Sequence, residues 1–355
     1  MTYFNPKLST FERYAQPLLG WFGMEVNDLE NLMFSSPPPS LEGVNAKFAR
    51  NIRYGDHSRN TFDILLPKTS EPCPLVIFIH GGSFVSGNKE YIYYDDPELL
   101  IDNAHYPSII KDLLAKNIAV ATINYPLLYQ GNKEGVLSPL MNCHHAVWYI
   151  STQAKTLGLD ADRFLLAGTS AGGGATLWVA HQIGSKKKRQ IESVLPGSTL
   201  KGLSLKMPKI KAVAMINSQC SYDLEGRWVP EVFNDYNLTF KMMFAPFRHS
   251  IMSFYGLSNV KEYSLERMEY YRNAVDMISV IDEDSPELWI DNTHVSQAIP
   301  FNASIASHHP YHARTLVDHY RRYGAKVTAF YGDPVLHVDR NKESLVKFIR
   351  RTLAA

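Results

Sequence analysis

Cysteine is scarce in this chain. Its 355 residues include three cysteines, Cys73, Cys143 and Cys220, which lie far apart and form no CxxC pair. A disulfide framework and a zinc knuckle are therefore excluded. The sequence also lacks HExxH, an Asp-rich calcium loop and a GxGxxG after a strand. It therefore implies no metal and no cofactor.

An excess of charge is also missing. Lys+Arg is 36 and Asp+Glu is 35, which gives a formal net charge of +1, so no bulk attraction to nucleic acid or to an anionic membrane is expected. No apolar run approaches the ~20 residues of a spanning helix. The opening MTYFNPKLSTFERYAQ has no basic stretch followed by an apolar one, so no signal peptide is predicted. We expect a soluble, cytoplasmic protein that binds no nucleic acid and does not span a membrane.

Short apolar runs alternate with helical patterns along the chain. Hydrophobic residues make up 45%, enough for a sizeable core. The run PLVIFIH at 74–80 is short, β-branched and bounded by proline and glycine, which is typical of a buried parallel strand. Such runs predict eight strands, at 47–54, 60–66, 74–80, 118–124, 163–168, 212–217, 287–290 and 326–331. Helical patterns lie within 96–116 and at 139–157, 171–183, 310–323 and 341–353. The alternation predicts a mostly parallel sheet with helices on both faces.

Two segments interrupt this alternation. Residues 185–208 are an excursion, expected to be exposed, and residues 224–275 are a long insertion rich in Phe, Met and Tyr. We expect a cap formed by an N-terminal helix and linker, 1–40, together with the insertion 224–275. The segments 41–223 and 276–355 would then form the α/β core. The large apolar side chains between Phe233 and Tyr255 are interpreted either as core or as the wall of an apolar pocket.

The strongest chemical signal is GTSAG at 168–172, a GxSxG motif between a predicted strand and a predicted helix. This is the context of a nucleophile elbow, a strained turn that exposes the serine. The helix that follows offers free N–H groups and a partial positive charge. Ser170 is therefore the predicted nucleophile.

A second signal, HGGSF at 80–84, directly follows the buried strand PLVIFI. Acyl transfer through serine creates a tetrahedral oxyanion, which needs backbone N–H donors. A glycine-rich loop at this place supplies them. We expect the N–H groups of Gly82, Ser83 and Ala171 to form the oxyanion hole, with Gly81 permitting the turn.

The base for the serine must come from a loop at the carboxyl edge of the same sheet. Among 13 histidines, His337 in GDPVLHVDR follows the last predicted strand, and we predict that it is the general base. His80 is expected to be structural. The histidine pairs at 144–145 and 308–309 are expected to lie on the surface or in the core.

Together these segments resemble the α/β-hydrolase fold, and within it the carboxylesterases similar to hormone-sensitive lipase and kynurenine formamidase. The resemblance runs from about residue 59 to residue 353 and rests on VIFIHGGSFVSGNKEY, AVATINYPL, GLDADRFLLAGTSAGGGATLWVA and VTAFYGDPVLH. It implies that Ser170 is the nucleophile and His337 the base. An acid after the strand before last would orient the histidine. Thr169 departs from the Asp that is frequent in the lipase branch.

The acid departs from the family's pattern as well. Its expected slot falls near Val295 or Ser296, and neither residue is acidic. Asp291 comes earlier, at the end of the strand ELWI, and Asp223 follows the strand AVAMIN, a location that some α/β-hydrolases use. The sequence leaves three readings open: Asp291 as the first choice, Asp223, and a serine–histidine dyad without a carboxylate.

The sequence therefore predicts a serine hydrolase whose substrate is a small carboxylic ester with an apolar portion, or, as a lesser choice, an aryl amide or formamide. Two alternatives stay open. The acyl-enzyme could have another fate, such as acyl transfer, cyclisation or lyase chemistry in secondary metabolism, or the chain could bind a ligand without catalysis. A homodimer is also left open.

Overall fold

The structure of the chain is a computed structural model. It describes residues 29, 32–94, 100–101, 104–128, 134–184, 207–245, 248–257, 265–293, 298–332, 337–338 and 343–354. Most of the predicted N-terminal cap helix, 1–28, and nearly all of the predicted excursion 185–208 lie outside the described residues.

A mixed sheet forms the centre of the fold. Its strands are β1 Ala46–Arg53, β2 Thr61–Pro67, β3 Cys73–Ile79, β6 Ala119–Ile123, β7 Leu159–Thr169, β8 Ile210–Ile216, β9 Glu287–Asn292, β10 Val327–Tyr331 and β11 His337–Val338. A separate hairpin consists of β4 Leu100–Ile101 and β5 Ala104–His105. The strands of the sheet are arranged in the order β1-β2-β6-β3-β7-β8-β9-β10-β11. Six neighbouring strands, β6, β3, β7, β8, β9 and β10, run parallel to one another. The strands β1, β2 and β11 pair antiparallel with their neighbours. The eight predicted strands are confirmed, and the described sheet adds the two-residue β11 at its edge.

Helices connect and cover these strands. The α-helices are α1 Tyr106–Leu114, α2 Leu137–Thr152, α3 Ala154–Leu157, α4 Ala171–Gly184, α5 Phe240–Phe244, α6 Arg248–Phe254, α7 Leu265–Val275, α8 Ala303–His308, α9 Tyr311–Arg322 and α10 Leu345–Ala354. Short 3-10 helices lie at Pro39–Leu41, Lys89–Tyr93 and Asn234–Tyr236, and a π-helix lies at Leu224–Val232. Helix α8 has no counterpart in the sequence prediction. No described helix combines the length and the apolar character needed to cross a membrane.

The apolar runs form strands because both faces of the sheet are covered. Every residue of β3 is buried. Leu75, Ile77 and Ile79 pack into one core cluster, and Val76 and Phe78 pack into another on the opposite face. This period of two explains why a central parallel strand is apolar throughout.

The register of the parallel strands brings their carboxyl ends to one level. Ile79 of β3 pairs with Gly168 of β7, and Thr169 pairs with Ile216 of β8. Ile216 in turn pairs with Asp291 of β9. Ligands of open α/β sheets bind outside these carboxyl ends. The predicted site residues that follow β3 and β7 therefore meet Asp291, near the end of β9, at one edge.

The insertion 224–275 adds helices whose large side chains differ in burial. Phe233, Met243 and Tyr255 are buried and belong to the main core cluster. Met242, next to Met243, is 53% exposed. The core interpretation is thus confirmed for these three side chains, whereas Phe247 lies outside the described residues.

Candidate active site

Ser170 lies in the sharp turn between β7 and α4. Its backbone φ is 54°, a left-handed conformation that a non-glycine residue adopts only where the surroundings enforce it. Its N–H donates to the Ile216 carbonyl at 2.8 Å, and the Ser218 hydroxyl donates to its carbonyl at 2.8 Å. The turn is therefore held on both sides, and the serine is half-buried at the edge of the sheet.

Two glycines bring the surrounding backbone close to this turn. A Cβ added at Gly172 would collide with the carbonyl oxygen of Ile79, at the end of β3. A Cβ added at Gly81 would lie 2.8 Å from the Thr169 carbonyl oxygen and 3.2 Å from the Ser170 Cβ. The HGGSF loop therefore packs directly against the serine because both contact positions lack a side chain.

The HGGSF loop is itself strained. Three successive residues, Gly82, Ser83 and Phe84, have positive φ values of 104°, 52° and 61°. The N–H groups of Val85 and Ser86 both donate to the Gly82 carbonyl, which closes the loop. Within the described part of the chain, the N–H groups of Gly82 and Ser83 have no backbone acceptor. Ala171 is the first residue of α4, where N–H groups have no intrahelical partner. The role of these three N–H groups as oxyanion donors stays a prediction.

His80, the first residue of HGGSF, contacts the backbone of this loop. It is buried, its Nδ1 lies 2.7 Å from the Gly81 carbonyl, and its ring stacks on Tyr125 with 4.3 Å between centroids. Burial lowers its pKa to about 4, so the imidazole is neutral at physiological pH. The expected structural role of His80 is confirmed.

Among the described side chains, the histidine that contacts Ser170 is His308. Its Nε2 lies 2.7 Å from the Ser170 Oγ. Its Nδ1 lies 3.0 Å from the carbonyl oxygen of Ser304, four residues earlier in α8. A carbonyl can only accept a hydrogen bond, so Nδ1 carries the proton and Nε2 presents its lone pair to the serine. Burial lowers the pKa of His308, which favours this neutral form.

The expectation for the pair 308–309 is therefore half wrong. His309 is fully buried and packs edge-on against Phe233, with 5.3 Å between ring centroids, as a core residue should. His308 instead faces the nucleophile, because the C-terminal end of α8 points at the elbow. The sequence signal was the long segment 292–309, which replaces the usual acid loop, carries no carboxylate and ends in two histidines.

His337, the base predicted from the sequence, has its backbone in β11, where it pairs with Tyr331 of β10. Its side chain lies outside the described residues, so its role stays a prediction. The described contact of Ser170 is with His308, which the sequence does not predict.

The two candidate carboxylates make other contacts. Asp291 is buried, and its Oδ1 accepts from the N–H and the hydroxyl of Thr293, at 3.0 and 2.6 Å. Asp223 accepts from the Gly226 N–H at 2.8 Å and pairs with Arg272 at 2.8 Å, so it begins the π-helix and anchors α7.

The described partner of the His308 Nδ1 is a backbone carbonyl. Among the described residues no group of three or more His, Cys, Asp or Glu side chains could hold a metal ion.

Part of this chain is similar in sequence to known proteins. The BD-FAE family model matches residues 62–216, which is less than half of the chain. A probable isoprenylcysteine alpha-carbonyl methylesterase of Arabidopsis thaliana, ICMEL1, is 30% identical over 125 residues, covering 35% of this chain and 22% of the relative. A probable isoprenylcysteine alpha-carbonyl methylesterase of Oryza sativa subsp. japonica is 27% identical over 124 residues, covering 35% of this chain and 26% of the relative. The match thus spans about a quarter of the length of these curated relatives.

Solved structures extend the similarity to most of the chain. The inhibited esterase B of Lactobacillus rhamnosis has a TM-score of 0.55 at 15% identity, covering 90% of this chain and 82% of that one. A truncated carbohydrate esterase from gut microbiota has a TM-score of 0.56 at 15% identity, covering 88% and 99%. The α/β-hydrolase fold expected from the sequence is confirmed, and the names of these four similar proteins are those of esterases.

Proposed function

We propose that the chain is a serine hydrolase that cleaves a carboxylic ester through an acyl-enzyme on Ser170, with His308 as the general base. The observation that carries the proposal is the 2.7 Å contact between the Ser170 Oγ and the His308 Nε2. A nucleophile and a base within ~2.6–3.2 Å of each other are what activated serine requires.

The reaction proceeds in two acyl transfers. The Ser170 Oγ attacks the ester carbonyl carbon while His308 Nε2 takes the hydroxyl proton. The carbonyl oxygen becomes an oxyanion, which the N–H groups of Gly82, Ser83 and Ala171 stabilise. The bond to the alcohol oxygen then breaks, and His308 returns its proton to that oxygen. Water repeats the sequence on the acyl-enzyme and releases the acid.

The Ser304 carbonyl takes the place of a carboxylate in this scheme. A triad acid holds the histidine tautomer and stabilises the imidazolium. The 3.0 Å contact to Ser304 supplies the first function, because it fixes the proton on Nδ1. It supplies less of the second, since a carbonyl carries only a partial negative charge.

Two further findings support an ester as the substrate. The curated relatives are named methylesterases, and an esterase B structure of the same fold, with a TM-score of 0.51, carries a tributyrin phosphonate inhibitor. The position of Ser170 next to the HGGSF loop supports the same class of reaction for this chain.

A fluorophosphonate probe and p-nitrophenyl butyrate test the proposal. Ser170→Ala should abolish covalent labelling and lower turnover by several orders of magnitude, while Ser70→Ala, at an exposed serine between β2 and β3, should retain both. Full labelling of Ser170→Ala would contradict the proposal.

The same assays distinguish the two alternatives. Acyl transfer would give a burst of p-nitrophenol followed by slow turnover, and an added alcohol or amine would speed up this turnover. A wild-type protein that is not labelled at all would favour binding without catalysis.

A further inference from the structure

The helix that carries His308 is too short to hold itself in place. Helix α8 has six residues, Ala303–His308, and the last four carbonyls of any helix have no intrahelical donor. Two side chains from other elements reach this end. Gln219 Nε2 donates to the Ser307 carbonyl at 2.7 Å, and His312 Nε2 lies 2.8 Å from the Ala306 carbonyl. Both carbonyls belong to the two residues that directly precede His308.

Both side chains are buried, Gln219 at 4% exposure and His312 at 0%. A buried donor that loses its acceptor is unfavourable, so these two contacts restrict where the end of α8 can lie. Gln219 is also the neighbour of Ser218, whose hydroxyl donates to the Ser170 carbonyl at 2.8 Å. Adjacent residues after β8 thus contact both the nucleophile turn and the base helix.

Cys220, the residue after Gln219, contacts His312. The Cys220 Sγ lies 3.3 Å from the His312 Nδ1, and the Cys220 N–H donates to the same atom at 3.5 Å. Because the Ala306 carbonyl can only accept, His312 carries its proton on Nε2 and accepts from Cys220 on Nδ1. Burial lowers the pKa of His312 to about 3 and raises that of the Cys220 thiol, so both groups stay neutral and the contact persists.

We infer that the tripeptide Ser218-Gln219-Cys220 is a positioning element that fixes the distance between Ser170 and His308. Ser218 acts on the elbow, Gln219 acts directly on α8, and Cys220 acts on α8 through His312. The inference rests on the proposed function of His308 and adds residues whose described contacts are with the Ser170 backbone, the end of α8 and His312.

Gln219→Met tests it, because methionine keeps the length of the side chain and removes the N–H donor. A displacement of ~1 Å at a catalytic group can lower the rate by ~100-fold. We therefore expect kcat for p-nitrophenyl butyrate and the rate of fluorophosphonate labelling to fall together by about 10- to 100-fold, with KM within twofold of the wild type. Gln153→Met is the matched control, since Gln153 is buried to a similar degree at the junction of α2 and α3, and it should leave both rates unchanged.

A double-variant cycle separates positioning from general stability. If Gln219 acts through His308, Gln219→Met should cost nothing further in a His308→Ala background. His312→Phe should resemble Gln219→Met, and His312→Gln, which retains a donor, should recover part of the rate. A Gln219→Met variant with wild-type kcat, or with the same loss in the His308→Ala background, would overturn the inference. Failure of the proposed function would appear separately, as undiminished labelling in the His308→Ala single variant.

Discussion

The imidazole of His308 has a serine hydroxyl on one side and the carbonyl of its own helix on the other. Its Nε2 is 2.7 Å from the Ser170 Oγ and its Nδ1 is 3.0 Å from the Ser304 oxygen. The residue four positions earlier in α8 thus orients this imidazole, and the imidazole and its orienting carbonyl belong to the same short helix. The pH dependence of the reaction follows from this arrangement.

Activity should persist into mildly acidic solution. Burial lowers the pKa of His308 below its ordinary value of 6.5, so the imidazole stays unprotonated, and able to accept the serine proton, as pH falls through 6.5. The acid limb of kcat/KM for a non-ionising ester should therefore have its midpoint below pH 6.5. A midpoint at or above pH 7 would contradict this prediction, because it would indicate a carboxylate that stabilises the imidazolium.

Asp291→Asn should change turnover by less than tenfold. The carboxylate accepts from Thr293 through Oδ1, and an asparagine oxygen can accept the same bonds. Steady-state kinetics of Asp291→Asn and Asp223→Asn, with thermal melting as the check on folding, test this. Asp223→Asn should act mainly on stability, since Asp223 pairs with Arg272. A loss of ~10³–10⁴ in Asp291→Asn alone would identify Asp291 as the acid.

Adjacent methionines in the insertion should behave differently. Met243 is 2% exposed, whereas Met242 is 53% exposed. Met243→Ala should lower the free energy of unfolding by about 2–5 kcal/mol, as is usual for a buried methionine, and Met242→Ala should leave it within about 0.5 kcal/mol. The pocket-wall interpretation predicts that Met242→Ala changes the preference for acyl chain length. Equal melting temperatures for the two variants would contradict the assignment of Met243 to the core.

Acid should destabilise the fold between pH 6.5 and pH 4. Burial lowers the pKa to about 4 in His80, His145 and His181. In this window the unfolded chain binds protons that the folded chain excludes, so stability rises with pH and is lost as pH falls. His181→Leu should reduce the loss of unfolding free energy between pH 6.5 and pH 4 by on the order of 3 kcal/mol. Urea unfolding at pH 7, 5.5 and 4.5 measures the free energy of unfolding. If this free energy changes with pH equally in the wild type and the variant, the contribution of His181 is refuted.

The sequence predicted those parts of the site that depend on local pattern. Ser170 and the HGGSF loop each follow a buried apolar strand, and the register of β3 and β7 brings them together without further information. The contact between His308 and Ser170 was not predictable in this way. His308 reaches Ser170 only because the segment after β9 folds into α8, and the contacts of α8 with Gln219 and His312 join residues 88 and 6 positions apart. No periodicity marks such contacts, and the role of His337, which follows the last predicted strand, stays a prediction.

The rate constant for fluorophosphonate labelling of Ser170 tests the role of His308 most directly, since it reports activation of the serine without product release. His308→Gln is predicted to lower this constant by about 10²–10⁴-fold, the usual contribution of a general base. His337→Gln is predicted to lower it by less than tenfold. A His308→Gln variant labelled at the wild-type rate, together with a His337→Gln variant that has lost labelling, would contradict the account.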